Sequence, residues 1–515
     1  MIVFGSVLPF AEGIFQSFLG KILLSLFLFL RSNFFQIAFG ASLFFFFRLF
    51  FVFLSYYRKW QKKKKFYTNL DFKKAFNLAK KKKKELPSFT IFIPAREEAL
   101  IIKNTLFKIS QLNYPLEKME IVVITDEKEK LNRKPDQRIT QEEVEEAKKL
   151  LLKEKPELKV HHLEVPYDYD GQLFGRRVFK EVPSTKGRAL NYALTYFHKS
   201  DFCAFFDTDD YPDKNCLLAV AYEYLKNPKK QLFQMPIFQC RNFFSITTFS
   251  KIISLGQAFT HEVFLPWILN WLPFLGGTNF FIKTEVLLRV GGFRLDSITE
   301  DLELGVRVYL KENVWPYFLP LASSEQTPFS FYQYFRQRQR WGLGQMKVIS
   351  DLKAIQNKKD LERQLKLRAK KIYWKLIIYG PLEWFLYFFL TLFGSLGLFF
   401  SLGKNFLVIL YLNNFSLGSA FFLGFQRIPL LILKINFVFI FFTLYLYFRY
   451  RKYIYHPKIS FPVLIQVLIT IGELLFILPF VFFLYPLPFV SAFLKHFLNK
   501  NQEPLWIKTP RTAEI

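Results

Sequence analysis

The sequence is poor in cysteine and histidine, which account for 3 and 6 of its 515 residues. The cysteines, Cys203, Cys216 and Cys240, are odd in number, irregularly spaced and without a CxxC pair or clustered histidines. Neither a disulfide framework nor a zinc site is therefore indicated. Acidic residues are also in the minority, with 42 against 71 basic ones, which gives a net charge of +29.

The excess of positive charge does not by itself indicate a nucleic acid partner. Such a charge ordinarily raises that question, but the densest basic runs, residues 58–65 and 80–84, directly follow an apolar segment. Lysine clusters beside a membrane helix mark the cytoplasmic side and attract anionic lipid. We favour this interpretation over a solvated face or polyanion binding, and we expect no nucleic acid partner.

Long apolar runs are missing from the middle of the chain, although 51% of the residues are hydrophobic. A membrane-spanning helix needs about 20 mostly apolar residues. The N-terminus lacks a charged n-region and a clear cleavage site, which predicts a retained anchor and not a signal peptide. The polar middle can hold one large α/β domain. Candidate spans occur only at the two ends, at residues 14–30, 34–57, 376–400, 405–425, 428–448 and 462–494.

The polar middle alternates between strand and helix patterns. Residues 88–94 and 120–125 are short β-branched apolar runs, and residues 97–111 between them have helical spacing, which predicts a β-α-β unit with a parallel sheet. Residues 142–155 form an amphipathic helical pattern with Glu before Lys at i,i+4. The alternation predicts a doubly wound nucleotide-binding sheet, with the ligand at the carboxyl ends of the strands. It continues through residues 160–165, 189–197 and 202–206.

An acidic motif, DTDD at residues 207–210, follows the last of these apolar runs. Asp207 is therefore predicted at the carboxyl end of a strand, with Asp209 on the same side. Two hard oxygen ligands at this spacing can share Mg²⁺ or Mn²⁺ with diphosphate oxygens and water. The alternative is a turn around Pro212. The preceding strand and the motifs that follow favour the metal site.

Two other segments have residues that suit a nucleotide. Asp126 ends the predicted strand 121–125 and either contacts base or ribose or begins a turn. Lys186 and Arg188, in the run STKGRALN, lie at a predicted helix N-terminus, which favours anions. A diphosphate fits this arrangement better than a plain basic helix start does.

A third motif, TED at residues 299–301, opens a predicted helix over residues 301–311, with Ser297 or Thr299 as its N-cap. The acids could do no more than complement the helix dipole. The functional hypothesis is that Asp301 takes the proton from an acceptor hydroxyl. The helix N-terminus keeps the carboxylate ionised while a water-poor pocket raises its basicity, and general base catalysis needs the two in balance.

The last motif, QRQRW at residues 337–341, is predicted on or beside a helix. Arg340 suits phosphate oxygens, Gln337 offers an amide donor, and Trp341 suits the apolar face of a sugar ring. The alternative is an interfacial helix with Arg and Trp at headgroup depth. The motif alone does not decide between them.

The order and spacing of these motifs resemble glycosyltransferase family 2, in the membrane-bound synthase branch of cellulose, hyaluronan and chitin synthases. The resemblance implies a GT-A fold, a Rossmann-like nucleotide-binding α/β domain. Asp301, accompanied by Glu300, would be the base of an inverting transfer. The matching elements span roughly residues 88–345 and are residues 93–98, 186–191, 206–212, 276–279, 290–293, 299–305 and 337–341.

The resemblance also implies the ligands and where they bind. Mg²⁺ or Mn²⁺ is the expected cofactor, held by Asp207 and Asp209, and a UDP-sugar is expected in preference to a GDP-sugar. Residues 506–509 resemble a short C-terminal motif that some relatives place on the cytoplasmic side. The implied donor-binding residues are Asp126, Lys186, Asp207, Gln337 and Arg340, and the implied acceptor-binding residues are Thr278, Asn279 and Trp341.

The predicted organisation is a cytoplasmic α/β GT-A domain joined to an α-helical transmembrane region. Its parts are N-terminal transmembrane segments at 1–60, a basic juxtamembrane linker at 61–87, the glycosyltransferase domain with interfacial helices at 88–345, an amphipathic interfacial linker at 346–375, a C-terminal transmembrane region at 376–494 and a cytoplasmic tail at 495–515.

The predicted protein is an integral protein of the plasma (inner) membrane. We predict inverting transfer from a nucleotide diphosphate sugar to a growing glycan, processive and coupled to export of a β-linked polysaccharide. Single-sugar transfer to a lipid-linked acceptor is the alternative among enzymes. A transporter or scaffold is the alternative outside them, but it predicts polar residues within the spans, where charges are few. Membrane lipids are expected partners, and the sequence leaves room for an accessory subunit.

Overall fold

The structure, a computed structural model, describes residues 59–389 except 136, together with 429–455, 484–498 and the isolated residues 25, 51, 55 and 392. The chain divides into two compact units, residues 1–51 with 384–437 and residues 52–383 with 438–515. The second unit contains the α/β domain. Most of the first unit lies outside the described residues, and so do the predicted span 405–425 and most of 14–30, 34–57 and 462–494.

Over residues 89–205 the described elements follow the predicted alternation of strands and helices. The helices are α1 Phe72–Lys81, α2 Ile102–Ile109, α3 Glu127–Leu131, α4 Thr140–Glu154, α5 Lys186–Tyr196, α6 Cys216–Lys226, α7 Thr248–Val263, α8 Leu265–Trp271, α9 Thr284–Val290, α10 Glu300–Glu312, α11 Phe331–Asn357, α12 Arg363–Ile377, α13 Pro429–Tyr450 and α14 Leu487–Leu498. The strands are β1 Phe89–Pro94, β2 Met119–Asp126, β3 Lys159–Val165, β4 Phe202–Phe205, β5 Leu232–Gln234, β6 Ile237–Gln239, β7 Phe280–Lys283, β8 Tyr317–Phe318 and β9 Ser323–Glu325.

Seven strands form the central sheet, in the order β3-β2-β1-β4-β7-β5-β8. The first four are parallel, as predicted. Strand β7 departs from the prediction, because it runs antiparallel to both β4 and β5. The chain leaves β5 at the carboxyl edge of the sheet, passes through α7 and α8, and re-enters from that same edge. The sheet is therefore mixed, and the strand order reverses between β1 and β4.

Phenylalanine fills the interior on both sides of the sheet. The rings of Phe92, Phe205 and Phe280 stack across three neighbouring strands, with centroids 5.4 and 4.6 Å apart. On the other face Phe89 stacks on Phe202 at 5.6 Å. The central strands are buried along almost their whole length. That burial explains why they appear in the sequence as continuous apolar runs and not as alternating ones.

A small second sheet extends the domain beyond the carboxyl edge. It pairs β6 with β9 in parallel, so that Gln239 lies opposite Glu325. Tyr211, just after the DTDD motif, bridges to Ser324 of β9. This sheet therefore brings the end of β9 next to the motif.

The segment predicted as a basic linker, residues 61–87, includes a helix packed on the domain. Asp71 caps α1 by accepting from the Lys73 amide, and Ala75 is fully buried. The Tyr67 hydroxyl donates to Glu223 of α6 at 2.6 Å. The domain core therefore begins before residue 88.

The helices α11 and α12 pack together against α10, around Leu352, Ile372 and Leu376. The segment predicted as an interfacial linker, residues 346–375, therefore lies largely within these two packed helices. Within the part of the chain that the structure describes, no single helix has both the length and the apolar composition of a membrane span. The bent pair α7 and α8, with 51° between them, meets these criteria by length and composition alone.

Candidate active site

Three of the predicted site segments lie at the carboxyl edge of the sheet, near the reversal of strand order. Asp126 ends β2, Asp207 follows β4, and residues 276–279 lead into β7. Because β7 is antiparallel, its start lies at the same edge as the ends of β2 and β4. Ligands of open α/β sheets bind at such a switch point.

Three carboxylates converge here: those of Asp207, Asp209 and Glu325, with one oxygen of each within 4.8 Å of the others. Asp209 is 1% exposed, and its Oδ2 accepts from the Gln326 amide at 3.1 Å. Asp207 keeps 31% of its side chain exposed. Hard oxygen donors in this number suit Mg²⁺ or Mn²⁺. The set therefore fits the divalent cation that the DTDD motif predicts.

Glu325 is a member of this cluster that the sequence analysis missed. It ends a three-residue strand that carries no recognisable pattern. Arg241, also missed, holds the cluster together from outside. Its guanidinium donates to the Asp209 carbonyl and, at 3.0 Å, to the Ser324 carbonyl, while its backbone amide donates to the Glu325 carbonyl at 2.8 Å.

Lys186 connects this cluster to the TED motif. It is the first residue of α5, as predicted, and Thr185 caps the helix. Its ammonium group donates to Asp207 and, at 2.7 Å, to the Gly277 carbonyl. Against the cost of burial, the Asp207, Glu300 and Asp301 carboxylates raise the pKa of Lys186. Lys186 therefore stays charged between two groups of acids.

Asp301 faces the same lysine from the start of α10. Burial, and then repulsion from Glu300, raises the pKa of Asp301 to about 7. A methyl group added to Gly277, which has φ +83°, would lie 2.9 Å from Asp301 Oδ2. Glycine is required here both by its left-handed backbone and by this close approach. A carboxyl group that titrates near neutrality is well matched to general base catalysis.

The predicted cap of α10 is only half right. The helix runs from Glu300 to Glu312, and Thr299 is its N-cap residue by position, but its side chain makes no capping hydrogen bond. Ser297 donates instead to the Thr299 carbonyl at 3.1 Å. The Thr299 side chain packs so closely on Gly344 that a methyl group there would clash. That contact seats α11 on the start of α10.

Thr278 and Asn279 are 1% and 0% exposed, which argues against the predicted acceptor contact. The Thr278 hydroxyl accepts from the Asp207 amide at 3.0 Å and donates to Asp210 at 2.6 Å. Asn279 donates to the Pro236 carbonyl at 3.1 Å. Thr278 therefore supports the DTDD motif from behind, and Asn279 fixes the neighbouring turn after β5.

Asp126 has a protein partner at each carboxylate oxygen. One oxygen caps α3 by accepting from the Lys128 amide, and the other accepts from Arg188 at 3.1 Å. Arg188 is 1% exposed. Asp126 thus begins a helical turn and anchors α5, and its contact with a nucleotide remains a prediction.

The QRQRW motif lies on α11, as predicted. Gln337 and Arg338 are buried, whereas Arg340 and Trp341 are partly exposed. The side-chain oxygen of Gln337 has no hydrogen-bond partner among the described residues. The Arg338 guanidinium stacks on the Trp341 ring, 3.8 Å from its centroid. Arg338, to which the sequence analysis gave no role, is the arginine of the motif that the fold encloses.

The sheet is mixed, carboxylates lie at its switch point, and a buried carboxyl group lies beside them. This arrangement is typical of α/β proteins that bind a ligand at the sheet edge. The family model for "Glycosyl transferase family group 2" matches residues 204–494, which is more than half of the chain. The chain belongs to this family, so the predicted resemblance to glycosyltransferase family 2 is confirmed, and the predicted α/β domain is observed.

Curated relatives agree with the synthase branch. A probable glycosyltransferase of Bacillus subtilis, YdaM, is 27% identical over 59% of this chain and 64% of its own length. The UDP-forming cellulose synthase catalytic subunit of Pseudomonas fluorescens is 27% identical over 52% of this chain and 32% of its own. A probable glucomannan 4-beta-mannosyltransferase of Arabidopsis thaliana is 26% identical over 50% and 45%. The chain thus spans less than two thirds of the length of each of these relatives.

Proposed function

We propose that this protein is an inverting glycosyltransferase that uses a nucleotide diphosphate sugar to extend a β-linked glycan, processively and with export across the membrane. One observation carries the proposal: Lys186 bonds to Asp207 of the carboxylate cluster and lies beside Asp301. A site for the leaving diphosphate and a site for the attacking hydroxyl are therefore adjacent.

Each side chain has a distinct task in this reaction. Asp301 accepts the proton of the acceptor hydroxyl, whose oxygen attacks the anomeric carbon as the bond to the diphosphate breaks on the opposite face. Lys186, charged and held at the N-terminus of α5, binds the diphosphate oxygens. Trp341 offers an aromatic plate for the acceptor sugar, and Arg340 a planar cation for phosphate.

Asp207, Asp209 and Glu325 would hold Mg²⁺ or Mn²⁺. The chemistry that such a cation supplies is neutralisation of the charge that develops on the leaving diphosphate. For the donor we favour UDP over GDP, with support from the relative named as UDP-forming. Because another relative is named as a mannosyltransferase, we do not propose which sugar is transferred.

Processivity separates this proposal from single-sugar transfer to a lipid. The measurement is the length of the product made by purified protein in lipid vesicles with excess acceptor. We expect long chains while most of the acceptor is unused, because a processive enzyme keeps its product bound. A product longer by one sugar at every time point would favour the lipid-linked alternative.

We further propose that the domain faces the cytoplasm from the plasma (inner) membrane. Lys64 follows the predicted N-terminal spans, and Arg449 follows the predicted span at 428–448. Both bind Glu262 of α7, at 2.8 and 2.6 Å. These ion pairs, after the cost of burial, lower the pKa of Glu262 to about 2. One partly buried carboxylate thus joins both basic segments to the domain. This supports the proposal that the two segments and the domain lie on the same side of the membrane.

Labelling with a membrane-impermeant thiol reagent tests this orientation. We expect Lys149→Cys, exposed on α4, to react in permeabilised cells and not in intact ones, because α4 would face the cytoplasm. The three native cysteines are buried and give a low background. The unsubstituted protein is the matched control. Labelling of Lys149→Cys in intact cells would reverse the orientation.

A further inference from the structure

We propose that Arg338 is a positioning residue that fixes Glu325 in the carboxylate cluster through the amide of Gln239 and fixes the Trp341 ring by direct stacking. The inference rests on the proposed function, because the cluster is assigned there to a divalent cation. It gives a role to the second residue of the QRQRW motif, in which only Gln337, Arg340 and Trp341 had been assigned one.

The connection from α11 to the cluster has two hydrogen bonds. Arg338, 5% exposed, donates from its guanidinium to Gln239 Oε1 at 2.8 Å. Gln239 Nε2 donates in turn to Glu325 Oε2 at 3.4 Å. Gln239 and Glu325 are direct neighbours in the β6–β9 pairing. The Glu325 carboxylate therefore receives a donor that Arg338 orients.

The chemistry of the two side chains sets the direction of this connection. A guanidinium has only donors, so it must face the amide oxygen of Gln239, and this leaves the amide NH₂ for the carboxylate. The backbone of Gln239 is held separately, since its N–H donates to Gln257 at 2.9 Å and its carbonyl accepts from the Thr327 hydroxyl. Because this backbone is fixed, the hydrogen bond from Arg338 determines that the NH₂ group of the Gln239 side chain faces Glu325.

The same guanidinium lies near two aromatic rings of its own helix. It lies 3.8 Å from the Trp341 centroid and 5.5 Å from that of Tyr334. The Tyr334 hydroxyl donates to the Tyr485 carbonyl at 2.9 Å, which fixes that ring. A planar cation can stack and donate in one plane, whereas an ammonium cannot. Arg338 thus couples the plane of Trp341 to the orientation of Glu325.

Mn²⁺ affinity of the full-length protein, measured by electron paramagnetic resonance without any sugar substrate, tests the connection. We expect Arg338→Lys, which keeps the charge, and Gln239→Met, which removes the amide, each to weaken Mn²⁺ binding about tenfold, as outer-shell partners of metal ligands typically do. The double variant should bind no more weakly than either single one, because both changes break one connection. Arg336→Lys is the matched control, since Arg336 on the same helix donates to the exposed Tyr332 hydroxyl.

The outcomes separate this inference from the proposed function. If the parent protein binds no Mn²⁺, the proposed metal site fails. If the parent binds Mn²⁺ and folded Gln239→Met binds it equally well, Glu325 does not depend on the amide and the inference is overturned. Losses that multiply in the double variant would also overturn it, since they indicate two independent roles. Thermal unfolding of each variant identifies folded samples, and Gln239→Met decides alone if Arg338→Lys does not fold.

Discussion

Asp301→Asn is expected to reduce sugar transfer about 10²- to 10⁴-fold, the usual contribution of a general base, while nucleotide affinity stays within a few-fold of the parent. Asparagine keeps the shape of the side chain and can still accept from the Leu302 amide, which lies 2.8 Å from Asp301 Oδ1. It cannot take a proton from a hydroxyl. Transfer rate and nucleotide affinity measured on the same folded samples give the result.

The raised pKa of Asp301 predicts two further results, one for this variant and one for the parent protein. A carboxyl group whose folded pKa is about 7 binds its proton more tightly in the folded state, so its contribution to stability is lost as pH rises towards that value. Asp301→Asn should therefore be no less stable than the parent at pH 8. In the parent, kcat/KM should rise with pH up to about 7 and then level off.

A helix-start acid without a catalytic role predicts a different pattern. Its removal should cost about 0.3–1 kcal/mol of stability and little activity. Near-normal transfer by folded Asp301→Asn would therefore remove this residue from the mechanism.

Asp209→Asn is expected to reduce nucleotide release from the donor by roughly 10³-fold, because a bound metal ion contributes several kcal/mol to stabilising the developing charge. The amide oxygen can keep the bond from the Gln326 amide, so the loop should stay folded. Asp213→Asn is the matched control, since Asp213 lies in the same loop and accepts from the Asn215 amide in a turn.

Removal of the metal should reproduce this loss in the parent. Excess chelator should stop nucleotide release, and added Mg²⁺ or Mn²⁺ should restore it. Full turnover in chelator, or by Asp209→Asn, would contradict the metal role.

The first strands of the sheet are predictable from the sequence, and the short later strands are not. Strands β1 and β2 match the runs 88–94 and 120–125 within a residue, because strands buried on both faces appear as unbroken apolar runs. Helix α2 is shorter than the predicted 97–111, since residues 95–101 form a loop above the sheet edge. Strands β5, β6, β8 and β9 have two or three residues each, too few for any periodicity to show.

The candidate site divides in the same way. Asp207, Asp209 and Asp301 could be proposed from the sequence because each lies in a contiguous motif at the end of an element. Glu325 and Arg241 could not be found, since only the pairing of β6 with β9 brings them to the cluster. Thr278 and Asn279 show the opposite problem. Their motif gave the right place in the fold, but nothing in it reveals that both side chains point into the interior.

Turnover of defined donors by the purified protein tests the central claim most directly. Radiolabelled UDP-sugars and GDP-sugars would be supplied with Mg²⁺ or Mn²⁺, and both nucleotide release and label in glycan would be followed. We predict metal-dependent transfer of label from at least one donor into glycan by the parent and not by Asp301→Asn. Turnover of no donor by folded protein, or equal transfer by both proteins, would contradict the account.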